Sequence, residues 1–447
     1  MPLDLTHDAT LRSWVESANA PGTDFPVQNL PLGIFSDGDQ VRPGVAIGDR
    51  VLDLRQARDG GHLDSPTLAP TLDPTLDPTL ASALGARTLN PLFALGRPAM
   101  RELRLRVSEL LRTGSPGSGR AQRDPMLILP MSAVTMHLPA DVGDYSDFYA
   151  SIDHAMNVGA MLRPDNPLLP NYKHVPIGYH GRASSIVTSG TSVRRPHGQT
   201  SAKPEGPPGF GASQRLDYEL EVGAFIGAGN PLGAAIPLGE AEQHIAGLVL
   251  VNDWSARDLQ TWEYQPLGPF LAKNFATSIS PWVVTLDALE PFRAAARVRG
   301  PGDPEPLPYL SDRADQAHGG FAITLEVWLR TARMREAGAP PERLSRGDFR
   351  RMYWTLAQML THHASNGCNL RPGDLIASGT VSGPDKGSRG CLLELTWRGS
   401  EPLTLSNGEQ RAFLADGDEV IVRGWCESEG RVRIGFGECG GMVLPAV

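Results

Sequence analysis

The stretch LDYELEVGAF, residues 216–225, alternates acids with apolar residues. On a strand, side chains two apart share a face, so Asp217, Glu219 and Glu221 fall on one side and Tyr218, Leu220 and Val222 on the other. If the acid face is dry it needs a cation, because buried like charges without a partner are costly or force one carboxyl to keep its proton. If it is a solvated sheet edge it needs nothing. Asp217 fits the edge reading best, and the rest of the chain has to decide for Glu219 and Glu221.

The 447 residues are enough for two or three domains, and 40% hydrophobic content supports a full core. Lys plus Arg is 41 against 50 for Asp plus Glu, a net charge of -9, which argues against nucleic acid as a partner. Cys368, Cys391, Cys426 and Cys439 are far apart with no CxxC pair, so reduced structural thiols are expected, not a zinc ribbon or a dithiol redox site. MPLDLTHDATLRSW lacks a basic start followed by an apolar core, and no apolar run approaches the ~18 residues of a membrane span. A cytoplasmic protein without a membrane partner is expected.

GVAIGDRVLDL (44–54) alternates like small-barrel strands, and RELRLRVSELLRT (101–113) has helical spacing before Gly114. The repeat SPTLAPTLDPTLDPTL (65–80) reads as a loop because its prolines block both helix and central strand. TGSPGSGRAQRDP reads as a linker. From about residue 131, Gly and Pro punctuate many short apolar runs, which indicates a large β-rich domain. The main helical exception is DFRRMYWTLAQMLTHHASNG, with Phe349, Met352, Tyr353, Leu356, Met359 and Leu360 as one core stripe. The adjacent His362 and His363 point about 100° apart on a helix and make a poor metal pair. The expected division is a small domain over 1–130 and a catalytic domain over 131–447.

HExxH, GxSxG and GxxxxGK[ST] are absent, and GAGNPLG (227–233) lacks the glycine spacing of a dinucleotide loop. What remains are acids and bases in apolar settings. DVGDYSDFYASIDHAMNVG (141–159) holds Asp144, Asp147, Asp153 and His154; Asp147 reads equally as the N-cap of a helix through SIDHAM or as a ligand, and His154 alone as a structural histidine. LVNDWSARDLQTWEYQPLGPFLAKNFATSISPW (250–282) follows an apolar run and carries Asn252, Asp253, Arg257, Gln260, Tyr264 and Lys273. A polar turn after a buried strand is where rigid scaffolds present function. If SARDLQTWEY is helical, Arg257, Gln260 and Tyr264 line one face, either salt-bridged at the surface or turned to a substrate. Asp147, Glu219, Glu221 and Asp253 together offer only oxygen, which suits Ca²⁺ or Mg²⁺ over zinc or copper.

These segments resemble the fumarylacetoacetase family, the last hydrolases of tyrosine and phenylalanine breakdown. The resemblance runs in order through DYSDFYASIDHAMNVG, LPNYKHVPIGYHGRASSIVTSGT, LDYELEVGAF, VLVNDWSARDLQTWEYQPLGPFLAKNF and NGCNLRPGDLIASGTVSGP, and covers essentially the whole chain. It implies a β-rich α+β protein, a small N-terminal SH3-like barrel followed by a large mixed β-sheet and β-roll domain, acting as a homodimer. It implies metal-dependent hydrolysis of the carbon–carbon bond of a diketo dicarboxylate, 4-fumarylacetoacetate, to fumarate and acetoacetate. Ca²⁺ or Mg²⁺ ligands carry over onto Asp147, Glu219, Glu221 and Asp253, with Lys273 and Thr277 matching a magnesium position. His154 and Glu394, in a strand LLELTW, match a water-activating pair, and Arg257, Gln260 and Lys273 the groups that stabilise developing negative charge. Tyr149, Arg163, Tyr179, Gln260, Tyr264 and Thr380 match substrate contacts.

Departures are KNFATS where the family reads KSFGTT, which changes Asn274 and Ala276 beside Lys273, and ASIDH where it reads SSRQH. The latter sets Asp153 next to His154, where a close acid raises the imidazole's proton affinity. The alternatives are an acylpyruvate hydrolase or related diketone hydrolase of the same superfamily, and a calcium-stabilised binding protein without turnover.

Overall fold

The computed structural model describes residues 3–447 apart from 39, 65–72, 74 and 202–205. The fold is mixed α+β and β-rich. LDYELEVGAF is not one strand but two pieces: Leu216–Asp217 pairs antiparallel with Ser255–Ala256, the ladder breaks at Tyr218 and Glu219, and Leu220–Ile226 enters the largest sheet. That sheet has eight strands. Its path runs Gly178–Gly181, Tyr145–Phe148, Leu375–Ala377, Leu220–Ile226, Ile245–Asp253, Thr277–Ile279, Ile186–Thr188, and Val284–Thr285 pairs separately with Ile245–Asp253.

Ile245–Asp253, IAGLVLVND, reads as a continuous apolar run because both of its faces are covered. Leu248 and Leu250 belong to the core shared with a second sheet, whereas Val249 and Val251 belong to the core of the N-terminal part. Full burial of each such side chain is worth roughly 1.5–3 kcal/mol. The second sheet orders Glu342–Asp348, Ile323–Arg330, Glu419–Cys426, Ile434–Leu444 and Val193–Arg194. Where the two sheets meet, a Cβ on Gly424 would lie 2.7 Å from Leu250 Cδ2, so a larger residue there would push the leucine side chain aside.

The N-terminal part is a five-stranded antiparallel sheet, Ile128–Pro130, Arg50–Asp53, Val41–Ile47, Leu32–Ser36 and Thr135–His137. Among the described residues no pairing joins its two edge strands, and its last strand lies beyond the 130/131 boundary. The helix Gly96–Leu111 buries Met100, Leu103, Val107 and Leu110 on one stripe, in the same cluster as Val249 and Val251. The small part is thus packed on one face of the large sheet.

Several local expectations change. The helix in the 348–367 segment starts at Leu356, because Thr355 and Gln358 form a capping box; Phe349–Arg351 is a separate 3₁₀ turn, although all six stripe residues are buried. The 113–125 stretch, read as a linker, contains a short helix, Ser118–Ala121. Most of the proline-threonine-leucine repeat lies outside the described residues; its end forms a helix, Pro78–Ala83, with Asp77 accepting from Thr79 and Leu80 N–H. All four cysteines are free. No helix among the described residues is long and apolar enough to cross a membrane.

Candidate active site

The sheet register brings the acids together. Asp147 faces Ala377, Glu221 faces Val251, and Asp253 faces Thr277 on neighbouring strands, so their side chains leave the same face at one end of the sheet. Glu219 joins them from the ladder break, where its N–H donates to Asn252 Oδ1 at 3.1 Å and its carbonyl accepts from Asp253 N–H at 3.2 Å. Carboxylate oxygens of Asp147, Glu219, Glu221 and Asp253 lie within 4.8 Å of one another, all buried. The opening acid face is therefore dry for Glu219 and Glu221.

Asp217 departs from the solvated-edge expectation. It is fully buried, accepts from Leu392 and Leu393 N–H at 2.8 and 2.9 Å, and pairs with Arg257 Nε at 2.9 Å. Arg257 opens the helix Arg257–Glu263 and reaches Glu219 with Nη1 at 2.7 Å and Gln260 Oε1 at 3.1 Å. Its face is turned inward, not salt-bridged at the surface. Lys273 Nζ contacts both Glu219 and Asp253. An ammonium has no lone pair to give a metal, so the Lys273 side chain enters as a counter-charge and donor, and the ligand role carried over for it is not one that Nζ fills. Thr277 Oγ1 donates to Asp253 at 2.9 Å, and Tyr179 OH donates to the other oxygen at 3.1 Å.

Four carboxylates against Lys273 and a shared Arg257 leave excess negative charge. Burial, then the Asp253 charge, pushes Asp147 up to about 8. Burial, then Asp147 and Asp253, raises Glu221 well above the carboxylate range. Burial pushes Glu219 up too, but Lys273 and Arg257 more than offset it and hold it at about 2. Among the described residues, both oxygens of Glu221 and Oδ1 of Asp147 are buried without a hydrogen-bond partner. Such orphaned acceptors, all hard oxygens, fit a divalent cation of the Ca²⁺ or Mg²⁺ kind.

Beside this cradle lies a second buried group. Ser151 caps the helix Ile152–Leu162 by accepting from His154 N–H at 3.3 Å, so Ser151, not Asp147, is the N-cap. His154 Nδ1 lies 2.7 Å from Glu394 Oε2. Glu394 sits in a short helix, Leu392–Leu395, not in a strand. Burial opposes its charge, but His154 and the donors around it hold its carboxyl below the usual range. As an ionised acceptor, it requires Nδ1 to be the donor, which leaves Nε2 as the basic nitrogen. Tyr149 packs edge-on to the imidazole, centroids 5.2 Å apart. Asp153 turns away: Arg297 and Arg351 hold its Oδ2 at 2.9 and 3.1 Å, so its charge is met by two arginines and not by His154.

Of the remaining substrate positions, Thr380 is buried in the turn after Leu375–Ala377, where Gly379 has φ 76° and any Cβ would meet the Phe148 carbonyl at 2.0 Å. Arg163 ends the His154 helix, donates to Pro167 O at 3.1 Å, and keeps a buried Nε without a partner. Tyr264 caps the Arg257 helix and is half-buried, and among the described residues its side chain makes no bond to the cluster. Sequence reasoning missed Asp217 as the partner of Arg257, and Asn157, Ser382 and Cys391 as partners of Glu394. The acid spacing in LDYELE was the one available signal for Asp217.

Fold and site together define a class: a β-rich α+β protein with an all-oxygen cation cradle next to a carboxylate-bound histidine. Residues 28–139 match the family model Fumarylacetoacetase N-terminal, and residues 143–443 match Fumarylacetoacetate (FAA) hydrolase C-terminal. The chain is 49% identical over 436 residues to a fumarylacetoacetase of Homo sapiens, covering 96% of this chain and 98% of that one. It is 46% identical over 445 residues to a fumarylacetoacetase of Oryza sativa subsp. japonica, covering 98% of each. Among solved structures, a fumarylacetoacetate hydrolase from Exiguobacterium antarcticum aligns with TM-score 0.50 and 16% identity over 93% of this chain and 99% of that one, a likeness of fold. The chain belongs to the fumarylacetoacetase family.

Proposed function

We propose that this protein hydrolyses the carbon–carbon bond of 4-fumarylacetoacetate to fumarate and acetoacetate, the final step of tyrosine and phenylalanine catabolism. One observation carries the reading: in a chain nearly half identical to fumarylacetoacetases over their whole length, the orphaned carboxylates of Glu221 and Asp147 lie beside the His154–Glu394 pair and the Arg257–Lys273 cations.

Asp147, Glu219, Glu221 and Asp253 would hold Ca²⁺ or Mg²⁺, which when bound would supply Lewis acidity towards the carbonyl of a β-diketone. His154 Nε2 takes the proton of the attacking water, while Glu394 fixes the ring through Nδ1 and stabilises the imidazolium. Attack builds an alkoxide, and cleavage expels an enolate. Arg257, Gln260 and Lys273 meet that negative charge in both steps; losing one such donor costs on the order of 10²–10³ in rate. Tyr149, Arg163, Tyr179, Gln260, Tyr264 and Thr380 bind and orient the substrate, with Arg163 suited to one of its carboxylates. A cytoplasmic homodimer, the 1–130 and 131–447 division, and closure of the small sheet into an SH3-like barrel and of the larger domain into a β-roll belong to the same proposal.

The test is loss of fumarylacetoacetate absorbance with metal-stripped protein, adding back Ca²⁺, Mg²⁺ and Mn²⁺ singly, with acylpyruvates as control substrates. Turnover of fumarylacetoacetate restored by a cation is expected. No response to any cation, or faster turnover of acylpyruvates, overturns the reading.

A further inference from the structure

Glu394 is held by more than His154. Ser382 Oγ donates to Oε2 at 2.8 Å, Cys391 Sγ lies 3.2 Å from the same oxygen, and Asn157 Nδ2 donates to Oε1 at 2.8 Å. The direction of these bonds is determined. Ser382 Oγ already accepts from Gly390 N–H at 2.9 Å, so its own proton is free to go to Glu394. Cys391 is fully buried, and burial keeps its thiol protonated far above its ordinary range, so it donates as S–H. His154, Cys391 and Glu394 also offer three possible metal donors within 4.8 Å. A tetrahedral ion with bonds near 2.0–2.3 Å keeps its donors roughly 3.3 Å or more apart. The 2.7 and 3.2 Å contacts are instead hydrogen bonds.

We propose that Cys391, acting with Ser382, is a positioning residue for the Glu394–His154 pair. The two side chains donate to the carboxylate oxygen that meets His154 Nδ1, share out its charge, and fix the plane in which the imidazole lies. This rests on the proposed role of His154 as the base. Other charged groups around the pair are Glu219, whose field reaches His154, Arg389, which donates to the Glu394 backbone carbonyl at 2.8 Å, and Asp217 with Arg257 beneath Cys391. The Tyr149 ring packs edge-on against the imidazole. Cys391 differs from Ser382 in that, among the described residues, its side chain bonds to Glu394 alone, so it separates donation from packing.

The experiment compares Cys391→Ala with Cys391→Ser in the full-length, cation-loaded protein. Both remove the sulfur, but only serine keeps a donor. Cys391→Ala is expected to lower kcat by about 3- to 10-fold, the worth of one modest hydrogen bond from a weak S–H donor, with KM little changed. The acid limb of its kcat profile moves to higher pH, because the less shared carboxylate charge holds a proton on the imidazole more firmly. Cys391→Ser recovers most of the rate and the wild-type limb. Equal behaviour of the two variants, or an unmoved limb in Cys391→Ala, overturns the proposal. His154→Ala is run alongside: if it stays active, the base assignment fails, whatever Cys391 does.

Discussion

His154 Nδ1 and Glu394 Oε2 meet at 2.7 Å although 240 positions separate them in the chain. The contact orients the ring and selects its tautomer, so replacing Glu394 by Gln keeps the shape and loses the instruction. A glutamine amide that presents N–H to Nδ1 favours the wrong tautomer. Glu394→Gln should lower kcat by on the order of 10³–10⁴ while circular dichroism and melting stay close to wild type. A loss under tenfold would show that the histidine does not work through this carboxylate.

Glu221 gives a variant whose stability and binding move in opposite directions. Both its oxygens are buried without partners, and Asp147 and Asp253 press on it. Glu221→Gln removes a carboxyl that the folded, metal-free chain must hold protonated at a free-energy cost, so the chelator-treated protein should melt higher than wild type. The same change takes a hard charged ligand from the cation, so calorimetric affinity for Ca²⁺ or Mg²⁺ should fall by at least tenfold. If affinity is unchanged, the cradle is not the binding site.

The pH dependence of the metal-free protein follows from Asp147. Its folded carboxyl titrates at about 8 through burial and then Asp253, above its ordinary value near 4. With the folded value raised, the contribution is fully favourable below about pH 4 and is lost as pH rises towards 8. Melting temperature in chelator should therefore fall across that window, and the gain on adding a cation should be largest at its upper end. Cation binding near pH 7 should also release protons. A chelated protein whose melting rises steadily from pH 5 to 8 contradicts the buried-acid picture.

How much of this was legible follows from where the signal sits. The period-two acids of LDYELE and the apolar run ending in Asp253 are local patterns, so Glu219, Glu221 and Asp253 could be singled out as candidates, while the choice between a dry cradle and a solvated edge needed the other segments. The ladder break that sends Asp217 to Arg257 could not, because it depends on Ser255–Ala256, forty residues away, taking the edge of Leu216–Asp217. Glu394 looked like a strand residue because LLELTW alternates, yet Asp217 accepts from the N–H groups of Leu392 and Leu393 and ends the extended chain there. The late start of the Leu356 helix was written in Thr355 and Gln358, a capping box masked by the long apolar stripe around it.

Asp217 should also be the costliest surprise when changed. It satisfies Arg257 Nε and three backbone N–H groups, those of Tyr218, Leu392 and Leu393, at a fully buried position. Asp217→Ala leaves Arg257 with Glu219 as its one carboxylate partner and strands three backbone donors, a loss of about 3–5 kcal/mol by analogy with other broken buried pairs. Denaturant melts read that loss. Asp217→Asn, which keeps an acceptor, should sit between wild type and Ala in stability, with reduced kcat because Arg257 is less firmly aimed. Equal stability for all three would remove the structural role.

Asp153 tests the reverse case, an acid adjacent in sequence to the base but not acting on it. Its Oδ2 is held by Arg297 at 2.9 Å and Arg351 at 3.1 Å, both partly exposed. Asp153→Asn should therefore cost only about 1 kcal/mol, discounted for solvent screening of those arginines. Neither limb of the pH–rate profile should move, since the charge lost is one already met by two guanidiniums on the side away from His154. A shift of the acid limb to lower pH in Asp153→Asn would mean that the carboxylate had been supporting the imidazolium after all, and that its arginine contacts do not hold in solution.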